Sequence, residues 1–170
     1  MRTEHPIFNV VRSILDAGNF QYDCPNEEPG ELVARLNIAA SNGHWSGVIR
    51  CRENSQVLGL VGLFPATISA DRNKETSRLI EQLNEKLQFG CFHRMDDAAV
   101  VFRMSAIIPE DIEPEEQIRI HLRILDQTMN DAFPLVMGVV YGDWTAEAAL
   151  KRASEANGPR GSRDSHHHLN

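Results

Sequence analysis

The sequence predicts an α+β domain: a helix, three antiparallel strands, a second helix, a two-strand hairpin and a long kinked helix. Three observations carry that reading. Apolar residues recur every three or four positions in some stretches, alternate strictly in others, and are separated by clusters of Gly, Pro, Asn, Asp and Ser. With 170 residues, 42% of them apolar and 24% charged, the chain has the make-up of one domain that buries enough surface to hold without disulfide or metal. Residues 1–156 are expected to form it. The remainder, "NGPRGSRDSHHHLN" at 157–170, has too little apolar surface to offset its ordering entropy and is expected to be a mobile polar tail.

Taken in order, "EHPIFNVVRSILDAG" sets Ile7, Val10, Val11, Ile14 and Leu15 on one helical stripe, with Pro6 in the first turn and Gly18 at the close. After the turn-rich "CPNEEPG", the segment "ELVARLNIAA" alternates, Leu32, Ala34, Leu36 and Ile38 against Arg35 and Asn37. "SNGHW" reads as a loop. Two strands follow, joined by a polar turn at Glu53, Asn54 and Ser55. In the first, Ile49 and Cys51 oppose Arg50 and Arg52. In the second, Val57, Val61 and Leu63 oppose Leu58, Leu60 and Phe64, so both faces are apolar and both call for cover.

Leu79, Ile80, Leu83 and Leu87 mark the second helix, with Ser69 and Asp71 at its entry and Gly90 beyond its end. Pro114 and neighbouring acids open the long helix, whose stripe of Ile118, Leu122, Leu125, Met129 and Phe133 continues past a kink at Pro134. Ile120 and Ile124 lie off that stripe. Trp144 and Thr145 then staple and cap a short alanine-rich helix ending near Ala156.

Composition excludes several functions. Seventeen Lys and Arg against 24 Asp and Glu give a net charge of -7, which repels a phosphate backbone unless cations gather on one face, so no nucleic-acid partner is expected. Cys24, Cys51 and Cys91 are odd in number and widely spaced, and no apolar leader follows Met1; a reducing cytoplasm is the expected setting. "AFPLVMGVVY" is too short to span a bilayer, so no membrane partner is expected either. "NGHWSG" lacks the lysine of a phosphate loop, and no serine or cysteine sits in a nucleophile elbow.

The octapeptide "GCFHRMDD" at 90–97 concentrates potential metal ligands. Cys91 and His93, two apart on a strand, face one way and could share a metal with Asp96 or Asp97. The competing reading makes the octapeptide the first arm of a hairpin. A three-residue loop at the aspartates then sets Phe92 opposite Phe102, buries it beside Val100 and Met104, and turns Cys91, His93 and Arg103 outward. The triple histidine at 166–168 is read as incidental.

Trp45 opening a strand, "LNEKLQFG" at 83–90, "VVFRMSAI" at 100–107, the kinked "FPLVMGVVYG" and the following "TAEAAL" together resemble the YbjN-like family of bacterial sensory transduction regulators, over roughly residues 5–150. The resemblance implies a fold similar to type III secretion chaperones, which pair as homodimers and bind an extended segment of a client. It implies no catalytic residues, and no cofactor is expected.

The leading expectation is therefore a non-enzymatic protein-binding module, regulatory or chaperone-like, acting as a homodimer on an unidentified protein client. One layer of helices can cover only one side of the strand at 57–64, so the candidate partner or dimer surface is Leu58, Leu60 and Phe64, with Ile120 and Ile124. Trp45 reads either as core beside Ile49 or as an aromatic anchor on that surface. The alternative is a small metal-dependent enzyme or sensor built on Cys91, His93 and Asp96 or Asp97.

Overall fold

A computed structural model describes residues 6–28, 30–109 and 111–156; the expected tail and its histidines lie outside them. Helix α1 (Pro6–Ala17) buries Ile7, Phe8, Val11, Ile14 and Leu15, close to the stripe expected from spacing. The Phe8 N–H, one of the donors a helix start leaves unpaired, is donated to Glu53 Oε1 at 2.7 Å. This bond ties the helix to a turn 45 residues away.

Six antiparallel strands follow among the described residues, and not five. They are β1 (Tyr22–Glu28), β2 (Glu31–Ala40), β3 (Gly43–Arg52), β4 (Val57–Thr67), β5 (Cys91–Arg94) and β6 (Ala99–Ile107), in the spatial order β1-β2-β3-β4-β6-β5. The extra strand is β1, where the sequence predicts a turn-rich connection. Pro25 cannot donate to a ladder, and an edge is where a sheet tolerates it; the register accordingly slips between Asp23 and Asn26. Strand β3 also begins earlier than expected, at Gly43, after a tight Ser41–Asn42 turn. That turn is held by Asn130, whose Oδ1 accepts the Asn42 N–H at 3.1 Å and whose carbonyl accepts the Asn42 side-chain amide at 2.9 Å.

The β3–β4 connection decides which side of β4 is buried. Arg52 pairs with Val57, so four residues, Glu53 to Gln56, make the turn, with Gln56 left-handed at φ 53°. A three-residue turn at Glu53–Ser55 would have paired Arg52 with Gln56 and turned every β4 side chain over. The register instead pairs Leu60 with Ile49 and Leu58 with Cys51. Leu58, Leu60 and Phe64 are thus interior, at 0%, 1% and 4% exposure. Their expected place on a partner surface is corrected.

Helix α2 (Asn73–Asn84) stops before Leu87. Its last residue turns from helix to sheet: Asn84 Oδ1 accepts the Phe92 N–H at 2.7 Å and Asn84 Nδ2 donates to the Phe92 carbonyl at 2.8 Å. Both outward-pointing groups of Phe92, on the edge strand β5, are thereby occupied. Gly90 enters the strand at φ 74°, where an added Cβ would collide with Phe102 and the Arg103 carbonyl.

The β5–β6 hairpin has the expected register. Phe92 lies opposite Phe102 with ring centroids 5.0 Å apart. Met95 donates to the Ala99 carbonyl across Asp96, Asp97 and a left-handed Ala98 at φ 63°.

Helix α3 (Pro114–Val140) passes through Pro134 without ending, and α4 (Ala146–Ala156) starts with the Ala148 N–H donated to Thr145 Oγ1 at 3.2 Å. Trp144 lies against Gly138, with the Arg152 guanidinium 4.0 Å from its ring. Helix α3 rests on the Leu60 side of the sheet. Met129 occupies the space that a Cβ on Gly62 would need, and Phe133 stacks 6.0 Å from Phe64. The core is one cluster between this side of the sheet and the helices.

Candidate functional site

The opposite side of the sheet has no helix on it among the described residues. The pairing register assigns its rows. Arg35, Val48, Val61 and Arg103 lie in line across β2, β3, β4 and β6, with Cys91 next on β5. One row away are Ser46, Leu63, Val101 and His93; on the other side come Val33, Arg50, Gly59 and Ser105, then Glu31, Arg52, Val57 and Ile107.

The apolar members of these rows are only partly covered. Val48, Val57, Val61 and Leu63 are half-buried, Ile107 is 69% exposed, and Val101 alone is sealed by its neighbours. Between the side chains of Arg50, Arg52, Met95 and Arg103 the valines floor a depression of about 490 Å³. Extended, pleated backbone with β-branched side chains makes this floor nearly rigid, so little ordering entropy would be lost when something settles on it.

The rim is cationic. Arg35, Arg50, Arg52 and Arg103 are all exposed. Glu31 is shared by two of them, at 3.1 Å from Arg50 Nε and 3.5 Å from Arg52 Nε. Arg35 and Arg103 have no ion-pair partner among the described residues. Burial holds the His93 imidazole below its ordinary pKa, and the nearby Arg103 charge lowers it further. On the other side of the sheet, burial pushes the Cys51 thiol up to about 12, with Glu53 and Cys24 adding to the effect, so that cysteine is an inert core residue.

The residues singled out in the sequence are not brought together. Trp45 is interior, 2% exposed, and its indole N–H has no hydrogen-bond partner among the described residues; of its two readings the core one holds. It leaves the candidate surface with Leu58, Leu60 and Phe64. Ile124 packs against the core, and Ile120, 44% exposed, lies on α3 in the helical layer.

Cys91 and His93 do face one way, on the uncovered side. Asp97 instead accepts the Ala99 N–H at 3.2 Å within its turn. Among the described residues no group of three or more His, Cys, Asp or Glu is placed to hold a metal. The outward orientation of all four arginines was readable from alternation and from the hairpin register. That Val57, Val61 and Leu63 join them on one face was not, because it depends on the length of the β3–β4 turn.

No helix of the described residues is long and apolar enough to cross a membrane. No curated protein and no solved structure matches the chain. A family model does: it matches residues 8–136 and is described as "YbjN: Putative bacterial sensory transduction regulator". Since that span includes the whole sheet and most of α3, well over half of the sequence, the chain belongs to the YbjN family.

Proposed function

We propose that this YbjN-family chain is a non-enzymatic regulatory module that holds another polypeptide against the uncovered face of its sheet. The observation that carries the proposal is the partly exposed floor of Val48, Val57, Val61 and Leu63 beneath an arginine rim. Covering half-exposed aliphatic side chains stabilises a complex through the hydrophobic effect, and a rigid floor suits a partner that orders on binding. A chaperone-like role toward an extended client, which a fold similar to type III secretion chaperones would imply, is one form of this activity. A cytoplasmic setting is in keeping with free cysteines on both sides of the sheet.

Site-resolved crosslinking tests the reading. A photoreactive amino acid at Val61, in the chain expressed in its source cells, is expected to capture a discrete polypeptide. The same group at Glu155 on α4 should capture none. Equal capture at both positions, or none at Val61, would overturn the assignment of the sheet face.

The metal-dependent alternative is left with Cys91 and His93 as its only neighbouring donors among the described residues. Stoichiometric metal in protein purified without chelator, lost in a Cys91→Ser/His93→Gln variant, would revive it.

A further inference from the structure

We propose that the uncovered face selects an acidic segment: an aliphatic centre flanked on both sides by carboxylates. The inference rests on the protein-binding reading above and adds to it the chemistry of the partner.

Charge is the first reason. The chain as a whole carries -7, yet by register this face takes Arg35, Arg50, Arg52 and Arg103 against three carboxylate residues, Asp23, Glu28 and Glu31. A local cationic field on an acidic protein attracts an acidic partner. Glu31 already holds Arg50 and Arg52. Arg35 and Arg103 remain unpaired among the described residues, and a guanidinium pairs best with a carboxylate, two hydrogen bonds at a time.

Spacing is the second reason. Arg35 and Arg103 flank Val48 and Val61 in a row that Asp23 on β1 and Cys91 on β5 continue at either end. Three interstrand steps separate them, about 14 Å at roughly 4.8 Å each. An extended chain covers that distance in about four residues. A segment crossing the strands could therefore set one aliphatic side chain over Val48 and Val61 while carboxylates two positions to either side of it, on the same face, reach the two arginines.

A second copy of the chain is disfavoured as the occupant. Twofold pairing of the patch with itself would bring the arginines of both copies into one interface, where like charges oppose association. Addition of a strand to the sheet edge is also disfavoured, since β1 is interrupted by its register slip and β5 is capped by Asn84 at Phe92.

Three fluorescent peptides with one aliphatic centre, the Val of Thr-Val-Thr, test this: one flanked by glutamate pairs, one by lysine pairs and one by serine pairs. Fluorescence anisotropy with the full chain should show binding of the glutamate peptide alone. Its affinity should fall about tenfold or more between low and high salt, as screening of exposed charges requires. Arg35→Glu/Arg103→Glu should weaken it by about tenfold or more and bring in the lysine peptide. Arg123→Glu, on the helical layer, should change neither; unchanged denaturant unfolding of each variant shows that the fold is intact.

Equal binding of all three peptides, binding that the double variant leaves unaltered, or no binding at about 1 mM would each overturn the proposal. So would self-association of the wild type that the double variant abolishes, which would make the face an interface between copies. If Val61 captures a polypeptide in cells but no charge preference appears, the acidic chemistry fails while the binding face stands. If Val61 captures nothing, the binding face itself fails.

Discussion

Strand β4 carries two apolar faces with different fates. Leu58, Leu60, Gly62 and Phe64 are sealed under α3, the glycine because Met129 fills the place of its side chain. Val57, Val61 and Leu63, one residue out of step, remain half-buried with arginines around them. Amino-acid type does not separate these sets; what separates them is whether a helix lies above. A strand apolar on both sides in a sheet with a single helical layer keeps unsatisfied burial potential on the second side, and a partner can use it.

Adjacent substitutions give the sharpest test of that difference. Leu60→Asp puts a carboxylate into a closed core and should cost at least about 4 kcal/mol, enough to unfold most of a marginally stable domain. Val61→Asp, on the open face, should cost no more than about 1 kcal/mol. Denaturant unfolding of the pair reads both. Similar losses would mean that the second face is covered after all.

The cysteines divide the same way. In a Cys24→Ser background, a thiol reagent at mildly alkaline pH should label exposed Cys91 at once and buried Cys51 only on unfolding, because the Cys51 thiol stays protonated with its pKa pushed up to about 12. Rapid labelling of two thiols in the native protein would contradict the assignment of Cys51 to the core.

The smallest effect concerns His93. Its folded-state pKa is held below the ordinary 6.5, mainly by burial and then by Arg103, so the unfolded chain binds the proton first as pH falls. The wild type should therefore lose stability through the window just below 6.5, and His93→Gln should lack that component. Parallel unfolding curves at about pH 7 and pH 5 check it. A wild type that gains on the variant upon acidification would show that His93 has a carboxylate partner.

Much of this architecture was legible from local patterns. The stripe of α1, the alternation of β2 and the passage of α3 through Pro134 all followed from periodicity and punctuation. In the β5–β6 hairpin the sequence offered two registers. Only the one that buried Phe92 beside Phe102 satisfied both strands, so local and long-range constraints agreed. At the β3–β4 turn no such check was available: both faces of β4 are apolar, and either register would have buried three large side chains. Gln56, a polar residue in a left-handed conformation, supplied the one extra position that reversed the outcome. Strand β1 was missed because Pro25 and its polar neighbours argue against a strand, and only pairing with β2 overrides them. The candidate site was thus half legible: its arginines from alternation, its valine floor only from the turn.

The Asn84 side chain has a consequence beyond its two bonds to Phe92. A primary amide reproduces the donor and acceptor of a peptide group, so it terminates the hydrogen-bond ladder as a one-residue strand that cannot be extended. Without it, the β5 edge would leave a free donor and acceptor to which the β5 of a second copy could add. Aspartate at this position would keep the shape but lose the donor, setting a carboxylate oxygen against the Phe92 carbonyl. One nitrogen atom therefore separates a sheet that ends from one that can recruit its own kind.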